Sequence, residues 1–131
     1  MRIFLMVLLI ISAPALAQRA TKWECKFTRE SSSADTQKQR DPRKFTIGDT
    51  AFSLDFVDDG QKAFVLGNNG AAEVARLTAI DDGIAFIERT TAGSVQVTAI
   101  DAKGNAAHSR HTFMFDGVLM ASQFYGTCKK L

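Results

Sequence analysis

Helical periodicity is almost missing from this chain: apolar residues do not recur at the three- and four-residue spacing of a helix face. Without a crossover helix, parallel strand pairing is not expected. Charge of one sign is also missing. The 16 basic and 14 acidic residues are interspersed, with no basic stripe and no acidic tail. Nucleic acid is therefore not an expected partner, nor is strong membrane-surface binding. No Gly-x-Ser-x-Gly elbow occurs, and no apolar run approaches the roughly 20 residues that a bilayer span needs. Cysteine is limited to two residues, Cys25 and Cys128.

The first 17 positions read as a targeting segment. Arg2 gives a positive start, Ile3 to Ile11 is an unbroken apolar run, and Ser12, Ala13 and Pro14 break it. Ala15-Leu16-Ala17 then supplies the small-x-small pattern of a signal peptidase site, so cleavage after Ala17 is expected, with export to the periplasm or beyond. Residue 18 is Gln, so the Cys that would direct lipid attachment is absent. The remaining stretch, 18–131, suffices for one domain. Loss of Arg2 leaves 15 basic against 14 acidic residues. In an oxidising space the even cysteine pair predicts one disulfide between Cys25 and Cys128, the alternative being two buried free thiols.

Alternation dominates the mature sequence. Trp23, Cys25 and Phe27 alternate with Lys22, Glu24 and Lys26; Phe52, Leu54 and Phe56 alternate with Ser53 and Asp55. Turn signals recur after them: Asp58-Asp59-Gly60, Asn68-Asn69-Gly70, Asp81-Asp82-Gly83, Gly104-Asn105 and Asp116-Gly117, with Ala92-Gly93 weaker. Such hairpin turns need positive φ, which Gly, Asn and Asp tolerate. About eight strands follow: 22–27, 51–57, 62–66, 72–80, 84–90, 95–100, 107–115 and 118–128. A short piece at 44–47 is open between strand and loop. The segment 30–43, polar and without periodicity, reads as a flexible loop.

The fold class is all-β, an antiparallel up-and-down meander. Closure into a small barrel removes the exposed edges of the first and last strands, and a Cys25–Cys128 bridge would staple that seam. A two-sheet sandwich is the alternative. In a barrel, Trp23, Cys25 and Phe27 share the interior with Met120, Phe124 and Cys128, and Gly126 marks a bend.

A small exported barrel opening on a strand with Trp23 resembles, in outline, the lipocalin group of ligand carriers, a calycin-like architecture. Thr21 stands where their motif has Gly, and only Trp23 matches, so no binding residue carries over. The aromatic-x-Cys opening also resembles the small periplasmic barrels that inhibit lysozyme.

The densest polar cluster is His108-Ser109-Arg110-His111. On a strand the two histidines point to opposite faces and do not share a metal. Ser109 and His111 share a face but lack an orienting carboxylate and an oxyanion hole. Asp58, Asp59, Asp81 and Asp82 are explained by turn chemistry. No enzyme activity, metal or cofactor is therefore expected. Arg110 shares a face with His108, Thr112 and Met114; if that face is interior, the charge requires a carboxylate, a ligand anion or open water. If it is exterior, Arg110 is an ordinary surface residue. Arg76 and Arg89 carry the same ambiguity.

Two functions fit. One is a carrier or sensor of a small apolar ligand inside the barrel, with Trp23, His108, Arg110 and Phe124 as binding residues. Trp23, Phe27, Phe52, Phe56, Phe86 and Phe124 would then line the ligand or simply fill the core. An interior cation would suit a carboxylated apolar ligand. The other is a cell-envelope protein-interaction module, such as an enzyme inhibitor, using outward residues such as His111 and Tyr125.

Overall fold

The computed structural model describes residues 19–35, 46–68, 70–114 and 117–131. The signal segment 1–17 lies outside them. The strands are β1 (Thr21–Asp35), β2 (Thr46–Asp58), β3 (Ala63–Gly67), β4 (Gly70–Thr78), β5 (Ile84–Arg89), β6 (Val95–Ile100), β7 (Asn105–Phe113) and β8 (Leu119–Lys130). Each pairs antiparallel with its neighbour in sequence, and β1 pairs with β8, so the eight close into a barrel. The sandwich alternative is thereby excluded.

The seam is held covalently. Cys25 and Cys128 are register partners on β1 and β8 and form a disulfide. Leu131 also donates its backbone N–H to the Lys22 carbonyl at 2.9 Å.

Strand β1 differs from the sequence reading. It continues through residues 30–35, which had been read as loop, and pairs there with β2 and β8. The polar run Glu30-Ser31-Ser32-Ser33 hides a strand that ladder pairing on both sides holds in place. Residues 36–43 of the expected loop lie outside the described residues. Between Phe27 and Arg29 the register shifts against both neighbours, a β-bulge. The extra residue reverses the alternation, so Glu30 faces in where the odd-numbered Trp23, Cys25 and Phe27 had done so before.

Gly126 sits opposite Phe27 at this bulge. A Cβ there would lie 1.9 Å from the Lys26 carbonyl oxygen and 2.7 Å from Phe27 Cα, so only glycine lets β8 approach. In the turn at 80–82, Asp81 and Asp82 take the positive φ (60° and 61°), and Gly83 is extended. A two-residue left-handed turn places both central residues there, a position Asp tolerates.

The core fills the middle of the barrel. Phe56 stacks on Phe86 at 4.4 Å between ring centroids, Trp23 meets Phe86 edge-on at 5.4 Å, and Phe27 stacks on Phe52 at 4.9 Å. Toward the end where β1 begins and β8 finishes, Arg76 pairs with the buried carboxylate of Asp58, which also accepts the Gly60 N–H at 2.8 Å. Among the described residues, no helix is long and apolar enough to cross a membrane.

Candidate functional site

The opposite end of the barrel is hollow. A cavity of about 1130 Å³ lies there, bounded by the β3–β4 and β5–β6 hairpins at its mouth. Its lining follows from strand alternation. One wall is apolar, built by Phe52 and Leu54 of β2, Val65 of β3 and Ala72 of β4. The facing wall is polar. Register pairing sets Glu88, Gln96, Arg110 and Ser122 side by side on β5, β6, β7 and β8. The interior is thus packed in its middle and open above.

Arg110 faces inward, which resolves its ambiguity against the surface reading. Its guanidinium lies over the Phe124 ring, 5.6 Å from the centroid. Its Nε is buried without a hydrogen-bond partner, and among the described residues no carboxylate forms an ion pair with it. A guanidinium stacked on an aromatic face gains cation–π attraction, but the stacking supplies no acceptor for the buried Nε–H.

His108 lies one inward position below Arg110 and is almost fully buried, at 1% exposure. The rings of Phe27, Phe52 and Phe124 surround it at centroid distances of 5.6 to 5.9 Å. Its Nδ1 shares a 2.7 Å hydrogen bond with the Thr98 hydroxyl, and among the described residues its Nε2 has no partner. Burial, and secondly the Arg110 charge, lower its pKa from 6.5 to about 4. The imidazole is therefore neutral near neutral pH and adds no second cation to the chamber.

The four residues expected to bind ligand do not all converge. Arg110 and Phe124 line the large cavity and His108 underlies it. Trp23 stands at the other end, in a second cavity of about 750 Å³ that includes Asp58 and Arg76. Thr112 stays on the Arg110 face, while Met114 is exposed beyond the end of β7. Arg76 points inward onto Asp58, and Arg89 is exposed at the rim. His111 and Tyr125 are both exposed but not adjacent: Tyr125 pairs with Ala107, and His111 with Ala121.

Sequence reasoning missed Glu30, Glu88 and Gln96. For Glu88 the signal was present, because it lies two residues beyond inward-facing Phe86 and must share its face. Among the described residues, no group of three or more His, Cys, Asp or Glu is placed to hold a metal ion. No family model, no curated protein and no solved structure matches the chain.

Proposed function

We propose that the mature domain is an exported binding module, without catalytic activity, that holds a small molecule with an apolar body in the open half of its barrel. The single observation that carries this reading is the chamber of about 1130 Å³ with an unpaired, stacked Arg110 in its wall. The volume exceeds the roughly 300 Å³ at which ligand cavities begin. The apolar wall of Phe52, Leu54 and Val65 takes the body of the ligand, and Arg110 anchors an acceptor group on it. The disulfide suits an oxidising compartment, and with the leader-like 1–17 it supports a periplasmic or secreted location.

Native mass spectrometry of protein isolated from its own compartment tests this. A small bound mass is expected, and its loss in Arg110→Gln. Protein that arrives empty, or bound to another polypeptide instead, overturns it.

A protein-interaction module is the second reading. It is favoured by Phe113 and Leu119, paired across β7 and β8 and exposed at 62% and 42%.

A further inference from the structure

The chamber holds charges of both signs that do not neutralise one another. Arg110 is on β7; Glu88, on β5, stands two strands to one side, and Glu30, on β1, two strands to the other. Gln96 separates Arg110 from the first carboxylate, and Phe124 from the second. All three are partly buried and line the same cavity, and among the described residues neither carboxylate makes an ion pair. Strand spacing puts the Glu88 and Arg110 backbones roughly 9–10 Å apart, and among the described residues no ion pair joins their side chains.

This constrains what fills the space. A purely apolar occupant would expel water from three charges and supply nothing in return. A purely anionic one would satisfy Arg110 and leave its own charge between two carboxylates. We infer that the ligand is a zwitterionic amphiphile: its anionic group, a phosphate or carboxylate, meets Arg110, its ammonium meets Glu88 or Glu30, and its chain lies on the Phe52–Leu54–Val65 wall. The inference rests on the interior-binding reading above and adds the cationic group to it.

A dodecyl series distinguishes the two claims. Titration calorimetry of the disulfide-intact domain, below micelle concentrations, would compare dodecanoate, dodecyltrimethylammonium, dodecylphosphocholine and dodecyl betaine. The last two carry phosphate and carboxylate respectively as the anion. At least one zwitterion is expected to bind about tenfold or more tighter than either singly charged probe. Arg110→Gln should remove that preference over the cation, and the double change Glu30→Gln, Glu88→Gln should remove it over the anion. Circular dichroism verifies that each variant keeps its β fold. Dodecanoate binding as tightly as the zwitterions, or a preference that survives the double change, overturns the zwitterion assignment and leaves interior binding standing. If no dodecyl probe binds the folded protein, both fall.

Discussion

Thr98 and His108 face each other across β6 and β7, with 2.7 Å between the threonine hydroxyl and imidazole Nδ1. That bond satisfies one ring nitrogen in an aromatic surround where the other has no partner among the described residues. Charging the ring there has no compensation. Between pH 6.5 and about 4 the unfolded chain protonates this imidazole and the folded chain does not. Stability contributed by the neutral ring is therefore present above pH 6.5 and lost as pH falls through that window, by on the order of 3 kcal/mol. Urea unfolding at a series of pH values should show that slope in the native protein. His108→Gln, which retains an amide to bond Thr98, should flatten it.

Arg110→Met should leave the fold at least as stable as the native protein. The guanidinium has a buried Nε without an acceptor, and a thioether of similar reach covers Phe124 without that debt. The expected change lies between neutral and about 1 kcal/mol more stable in denaturant titration. A loss of 2 kcal/mol or more (about one strong charged hydrogen bond) would mean that the native protein satisfies Arg110 internally, and the anchoring role would lose its basis.

Gly126→Ala is expected to be among the most damaging single changes. The added methyl would fall within 2.7 Å of backbone atoms of Lys26 and Phe27, which cannot rotate away as a side chain can. Separation of β1 from β8 should cost about 3 kcal/mol or more. Thermal unfolding checks this, with Gly48→Ala as the control, because nothing lies within 4 Å of a Cβ at that site.

Reduction of the Cys25–Cys128 bond, or the double change Cys25→Ala, Cys128→Ala, removes a link spanning 103 residues of sequence. In the chain-entropy description a loop of that size contributes about 4.7 kcal/mol, an upper figure for the loss. Guanidinium unfolding with and without reductant measures it. Identical midpoints would show that the backbone ladder alone determines the stability of the seam.

These sites were not equally legible in the sequence. The strand at 51–57 alternates apolar with polar residues and has a strong turn signal beside it, so one face announces itself as core, whereas 95–100 alternates with Gln96 and Thr98 facing in and Val95 exposed. The seam followed from two cysteines and from the need to remove edges. On β7 the alternation is polar on both faces: His108, Arg110 and Thr112 compete with Ser109 and His111. Only the neighbouring strands decide it, through Thr98 and Phe124, which pair with His108. Glu30 was illegible for another reason. A single extra residue at the bulge reverses the parity of β1, and nothing in Phe27-Thr28-Arg29 advertises it.

The ring closes between the earliest and the latest strands, and this imposes an order of arrival. A chain emerging from its amino end presents β1 long before β8 exists, with one flank unable to pair. The last ladder cannot be completed, nor the sulfur–sulfur bond formed, until residue 128 has appeared. Acquisition of that bond is thus a completeness check: a copy truncated before residue 128 leaves Cys25 a lone thiol and the seam incompletely paired, which favours aggregation or proteolysis.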